Sequence, residues 1–303
     1  MIYAITGATG NIGSRIASIL ISKGKKVRVI GRSKDKLKYF INQGAEAAVA
    51  NLENSSETVN ALKGAKAIFA MIPPNYSAED MRGYQNSVGA SLAQGITDSG
   101  ATHVVNLSSF GAHLGQGTGP ILGLHDQEKR LNKITGINII HLRPASFMEN
   151  LLMNINLIRH NGIMGSPLKS STLNPMIVTK DIAAIAAELL DGLDFSGVTT
   201  RELLGPKEYT MEEVTKIFAK AIGKKDLKYV EFPYAEALKG MVEMGLSQDS
   251  ASLMVDLNKS INEGLLKPEE KRSTRNTTAT ALEDFAQVFA DIYSQASEAA
   301  PSN

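Results

Sequence analysis

Two stretches carry residues whose types and spacing suit chemistry. The first is TGATGNIG (Thr6–Gly13), where Gly7, Gly10 and Gly13 form G-x-x-G-x-x-G. It lies between the apolar run IYAIT and a segment with Ile12, Ile16, Ile19 and Leu20 at helical spacing. Such a loop suits a pyrophosphate. The first glycine permits a tight turn, the second lets the backbone approach the ligand, and the third lets helix and strand pack closely. Thr9, Asn11 and Ile12 complete the cradle at the helix start, where N–H groups and the dipole attract an anion. No Lys-Ser/Thr follows Gly13, which excludes a P-loop. The second stretch is HDQEKRL (His125–Leu131), read as part of a helix over 126–133. His125 and Lys129 are four residues apart and share a face. An imidazole titrating near pH 6.5 can act as a proton donor. The same stretch also reads as a solvated helix start, because Asp126, Glu128, Lys129 and Arg130 are all charged.

The second strand bears on the choice of dinucleotide. A carboxylate about 20 residues past the loop would accept from a ribose 2′-hydroxyl. This chain has VIGRS there, with Arg32 in that place and Lys36 one helical turn on. A guanidinium binds a 2′-phosphate in a bidentate way, whereas a carboxylate repels it. NADP(H) is therefore expected in preference to NAD(H). No histidines and carboxylates have metal-ligand spacing, so no metal is expected.

Composition narrows the field. The 303 residues include 32 basic and 31 acidic side chains, for a formal charge of +1. That balance gives no global attraction to nucleic acid. There is no tryptophan and aromatics are 6%, which disfavours a base-stacking platform. There is no cysteine, which removes disulfides and thiolate chemistry and fits a reducing compartment. No apolar run reaches membrane-spanning length and MIYAITG lacks a basic leader, so a cytoplasmic protein is expected.

The elements that must position these residues follow a rhythm. KVRVIG, AEAAVAN (45–51), AIFAMI, HVVNLSS and INIIHLRP read as strands alternating with helices, including a long one over 78–99. Alternation of this kind implies an α/β fold, a Rossmann-type doubly wound parallel sheet. After Pro144 the pattern becomes mostly helical, starting with NLLMNINLI. Thr210 and Glu213 have capping-box spacing. The expected organisation is a dinucleotide-binding domain over 1–145, a smaller helical lobe over 146–295 that does not fold alone, and a frayed tail over 296–303.

TGATGNIG, GRS after strand two, AMIPP after strand four, VVNLSSFGA at strand five, HLRPASFMENLL after strand six, VTKDIAAIAAELL and LLGPKEYTMEEV run in order to about residue 220. Together they resemble the short-chain dehydrogenase/reductase superfamily. Within it they are similar to the atypical NmrA-like branch of quinone reductases, triphenylmethane reductases and redox-sensing regulators. The resemblance implies that Met71, Ile72 and Pro73 flank the nicotinamide-side ribose and that Pro144 to Phe147 cover the nicotinamide. Asn51 falls where relatives place an aspartate near adenine. Tyr76, Phe110, His113, Phe147 and Asn150 are implied as substrate-wall residues. Most of the superfamily uses Tyr-x-x-x-Lys beside a serine. None of the eight tyrosines here has a lysine four residues later. By position Lys129 matches the family lysine and contacts ribose, His125 replaces the tyrosine, Ser108 ends strand five at the cofactor, and Phe110 stands where many relatives keep a hydroxyl.

Two functions follow as expectations. One is an NADPH-dependent oxidoreductase passing hydride to a small aromatic or quinone-like acceptor, with His125 and Lys129 as catalytic candidates. The alternative is a non-catalytic NADP(H)-sensing protein acting through a protein partner. The loop over 112–124 holds four glycines and reads as a mobile lid or as an ordinary surface loop. Nucleic acid and membrane are not expected as partners. A homo-oligomer or a regulatory protein partner is left open.

Overall fold

Short apolar runs separated by amphipathic helices generate a layered sheet. The computed structural model describes residues 1–298, with side chains to residue 296. The first six strands are β1 (Ile2–Ile5), β2 (Lys26–Gly31), β3 (Glu46–Val49), β4 (Ala65–Ala70), β5 (His103–Leu107) and β6 (Asn138–Pro144). The helices between them are α1 (Asn11–Ser22), α2 (Lys34–Ile41), α3 (Ser55–Leu62), α4 (Met81–Ser99) and α5 (Leu122–Leu131). Then come β7 (Ser146–Phe147), α6 (Asn154–Asn161), β8 (Ile163–Ser166), β9 (Asn174–Ile177), α7 (Thr179–Gly192) and β10 (Val198–Leu203). The rest is β11 (Glu208–Tyr209), α8 (Met211–Ala221), β12 (Lys228–Glu231), α9 (Tyr234–Glu243), α10 (Gln248–Asn262) and α11 (Leu282–Glu298).

The main sheet has seven strands in the order β3-β2-β1-β4-β5-β6-β10, and every pairing is parallel. The chain winds outward from β1 to β3, returns beside β1 at β4, and winds the other way. The switch between β1 and β4 opens a crevice at the carboxyl ends of those strands, where ligands bind in such sheets. Both faces are covered. Ile16, Ala17 and Leu20 of α1 and Ile182, Ala183 and Ala186 of α7 pack with Ile5, Val29 and Phe69 on one side. Val88 and Leu92 of α4 and Leu131 of α5 pack with Ile30, Ile68 and Val104 on the other. Each Ile, Leu, Val or Phe among them contributes roughly 1.5–3 kcal/mol by leaving water, and each alanine less. A third cluster centres on Phe218 and Phe289, whose rings stack at 3.9 Å in the later helices. The strip β11-β9-β7 and the pair β12-β8 complete that region.

Several boundaries differ from the sequence expectation. α4 starts at Met81 because Asp80 caps it, accepting from the Gly83 N–H at 2.7 Å. It stops at Gly100, which takes φ 77°. The third strand is shorter, Glu46–Val49 rather than 45–51. NLLMNINLI is split between a 3-10 turn over Met148–Met153 and α6. The helix expected over 126–133 begins at Leu122, continuing a 3-10 turn over Gly119–Ile121. The capping box at Thr210 and Glu213 is formed. The chain beyond 145 builds the later lobe and also returns α7 and β10 to the sheet. Of the tail expected to fray from 296, residues 296–298 are helical and the remainder lies outside the described residues. No helix among the described residues is long and apolar enough to cross a membrane.

Candidate active site

The glycine loop sits at the switch point. Gly7 takes φ 63°, and a Cβ there would overlap Met71 Sδ at the end of β4. A Cβ on Gly13 would overlap the Gly7 carbonyl, so the third glycine lets α1 lie against the turn. Gly10 is different. A Cβ there would meet only the Gly7 carbonyl oxygen, at 3.4 Å, so the protein itself does not demand glycine. Gly10 is exposed and precedes α1, whose N-terminus has no side-chain cap and no acidic residue in its first turn. Uncapped N–H groups beneath an open glycine fit a diphosphate. Thr9 and Asn11 are exposed on this rim, while Ile12 is buried beneath it.

The end of β2 supplies free positive charge. Arg32 and Lys36 are exposed and make no hydrogen bond or ion pair with another described residue. The only acid of α2, Asp35, pairs with Lys38 at 2.8 Å. Asn51 is exposed and bonded within its own loop: its Oδ1 accepts from the Glu53 N–H at 3.2 Å, and its backbone N–H donates to Glu57 at 2.7 Å. Its amide NH2 keeps its hydrogens.

Across the switch point, Thr6 ties β1 to β4. Its hydroxyl donates to the Phe69 carbonyl at 3.0 Å and accepts from the Met71 N–H at 2.9 Å. Ile72 is buried, and the Pro73 carbonyl accepts from Tyr84 at 3.0 Å. Met71 to Pro73 therefore stand beside the glycine loop. On the far side, the Pro144 carbonyl accepts from the Phe110 N–H at 2.9 Å, and Phe147 is half-buried against the same core as Met71. Strand ends β1, β4, β5 and β6 thus converge on one edge.

HDQEKRL holds three environments, not one. His125 Nδ1 lies 2.8 Å from the Ala112 carbonyl, so that nitrogen carries the proton and donates it to the loop. Its Nε2 faces Gly115. Lys129 is exposed and makes no hydrogen bond or ion pair with another described residue. Glu128 is buried, so the solvated-face reading fails at that residue. It accepts from Arg143 Nε at 2.9 Å and Nη2 at 2.6 Å and from Ser108 Oγ at 2.5 Å. Burial works to raise this carboxyl, but the bonds from Arg143 and Ser108 and the nearby His141 outweigh it and hold it below the usual range. Ser108 is consequently 4% exposed with its hydroxyl proton committed to Glu128.

Of the substrate-wall candidates, Tyr76 and Asn150 are exposed, while Phe110 is 5% exposed and belongs to the core on the α1 face. An aromatic wall at Phe110 is therefore not open. His113 is half-buried beside Glu269. The glycine-rich loop is held down instead of free. Ser260 of α10 donates to the Gly117 carbonyl, Gly119 abuts the α10 backbone, and Leu265 and Leu266 press on Gly117 and Gly111. Sequence reasoning missed the cluster Ser108–Glu128–Arg143–Glu269. The only local signal was Arg143 within the strand IIHLRP; Glu128 sits among the charged Asp126, Lys129 and Arg130 and reads as solvated. Among the described residues, no group of three or more histidines and carboxylates forms a metal cage.

The pattern that defines the NmrA-like family matches residues 2–285. The NAD(P)H azoreductase of Xenophilus azovorans is 26% identical over 255 residues, covering 84% of this chain and 85% of that one. The triphenylmethane reductase of Citrobacter sp. complexed with NADP(H) superposes with TM-score 0.80 at 19% identity, over 96% of this chain and 100% of that one. The NADPH-dependent quinone oxidoreductase of Escherichia coli complexed with NADPH does so with TM-score 0.78 at 18% identity, over 98% and 99%. These two structures share the fold of this chain. The family match spans the main sheet and nearly all of the later lobe, and the chain belongs to the NmrA-like family.

Proposed function

We propose that the chain is an NADPH-dependent reductase that passes hydride directly to a small aromatic or quinone-like acceptor, without a metal. The observation that carries this reading is the pairing of an open Gly10 on an uncapped α1 with an unpaired Arg32 at the end of β2. In it, Gly7, Gly10, Gly13 and the N–H groups of Asn11 and Ile12 would hold the diphosphate. Arg32 and Lys36 would hold the 2′-phosphate, favouring NADP(H) over NAD(H). Met71, Ile72, Pro73, Pro144 and Phe147 would flank the nicotinamide, Asn51 the adenine, and Lys129 the ribose. Bound there, NADPH supplies the hydride.

What the chain's own residues do is bind, orient and exclude water. The acceptor enters at the carboxyl edge between the sheet and the later lobe, beside Tyr76, His113 and Asn150. Relatives and structural neighbours named as azoreductase, quinone oxidoreductase and triphenylmethane reductase support an aromatic acceptor. A setting rich in NADPH, such as the cytoplasm, belongs to the same reading. The test is NADPH consumption, followed by absorbance, against a panel of quinones, azo dyes and triarylmethane dyes. Reduction of at least one acceptor well above the rate without protein is expected. Tight NADPH binding with no acceptor reduced would reject the enzyme in favour of a sensing protein.

A further inference from the structure

The superfamily's tyrosine is absent, and His125 cannot replace it simply. Its Nδ1–H is spent on the Ala112 carbonyl, and among the described residues no carboxylate lies within ion-pair distance of its ring. Its neighbour Asp126 is bound by Arg82 and Asn86. His113 has the features that His125 lacks. Its Nδ1 lies 3.5 Å from Glu269 Oε2, and that nitrogen is sealed from solvent with no hydrogen-bond partner among the described residues. The side chain is nevertheless 25% exposed. The exposed part of the ring therefore excludes Nδ1, and Nε2 is its only other polar atom.

The surroundings fix this ring from several elements. His125 on α5 holds the carbonyl of the preceding residue, Ala112, and Leu266 presses on Gly111. The segment after α10 places Glu269, whose N–H donates to the buried Glu202 of β10 at 3.1 Å, with the Glu270 N–H at 3.3 Å. The other charged groups behind the ring are Arg143 of β6, which binds Glu269, and Glu128 of α5, which binds Arg143. Glu269, Glu128 and Glu202 all act on the single cation Arg143.

We propose that His113, backed by Glu269, is the proton donor to the reduced acceptor; this rests on the reductase reading above. With bound NADPH as the hydride source, one quinone oxygen would gain an O–H bond and NADP+ would be left. An electron pair moves through the ring to the second oxygen, which takes the proton from His113 Nε2. The products are hydroquinone and a neutral imidazole, which water reprotonates. An azo bond likewise needs one hydride and one proton. A triarylmethyl cation takes hydride at carbon and needs no proton, so the two acceptor types separate proton delivery from everything else.

The test compares quinone and triarylmethane dye turnover in the same preparations. His113→Gln is expected to lower the quinone-to-dye ratio about 100-fold, the scale of general-acid catalysis, and Glu269→Gln to lower it less. Added imidazole is expected to restore quinone turnover in His113→Ala. In the chain without cofactor, diethyl pyrocarbonate is expected to label His113, as read by mass spectrometry, and 2-naphthol to protect it. Far-UV circular dichroism and NADPH fluorescence confirm that each variant folds. A wild type that reduces neither acceptor overturns the reductase reading and this one with it. A wild type that reduces both, with a ratio unchanged within about twofold in His113→Gln, or a His113 that diethyl pyrocarbonate does not label, overturns the donor assignment alone.

Discussion

Replacing Glu128 by glutamine leaves Arg143 in a buried site with half its support removed. The guanidinium side chain is 8% exposed and makes two bonds to Glu128. Glutamine keeps one acceptor but turns an NH2 toward a donor, and it removes the negative charge. Breaking a buried pair from one side costs about 3–5 kcal/mol, because the surviving charge stays out of water. Glu269 still pairs with Arg143 but is 45% exposed, so it compensates only in part and the lower end applies, about 3 kcal/mol. In a chain of this size that lowers Tm by roughly 5–10 °C. Urea denaturation of wild type, Glu128→Gln and the double variant Glu128→Leu with Arg143→Met measures it. The double variant should recover most of the loss, since replacing both partners by apolar side chains is close to neutral. A Glu128→Gln variant within about 0.5 kcal/mol of wild type, or a double variant less stable than the single one, would refute the reasoning.

Gly10→Ala should fold with near-wild-type stability yet bind NADPH at least about tenfold more weakly, whereas Gly13→Ala should lose stability; calorimetry and NADPH titration separate them. Arg32→Ala should raise the NADPH Kd by about 10- to 100-fold, the worth of a charge-assisted bond of roughly 1.5–3 kcal/mol, and leave NADH nearly unchanged. His141 is buried between Asn106 and Asn132, and burial holds its imidazole below the usual value. The unfolded chain binds this proton near pH 6.5 and the folded chain does not. Stability should therefore fall as pH drops below about 6.5, and the fall should shrink in His141→Gln, as read by urea midpoints at pH 7.5 and 5.5. Glu128 extends the trend: its stabilisation is present above the unfolded carboxyl pKa and disappears as pH falls through its lowered folded one.

Six of the seven sheet strands were legible because most are apolar runs and the helices between them have one apolar face, both local patterns; β10, with the sequence VTTREL, lacks such a run and was not. Gly7 and Gly13 were legible because backbone crowding at a turn leaves a residue-type signature. The buried Glu128 was not. A charged residue in a helix reads as solvated unless its partner is known, and Arg143 lies on a strand brought alongside only by the crossover. Glu269 is further still, on a segment after α10 that carries no periodic pattern. His125 shows the same limit in reverse. Its spacing to Lys129 suggested a relay, but the loop carbonyl of Ala112 decides what its ring can do.

Direct hydride transfer is the central claim, and deuterium shows it without ambiguity. A triarylmethane dye incubated with the protein and NADPH labelled at C4, in each stereochemical form, receives hydride on a carbon that does not exchange with water. One form is predicted to yield leuco dye carrying one deuterium and the other to yield none. Leuco dye without deuterium from either form would contradict the account.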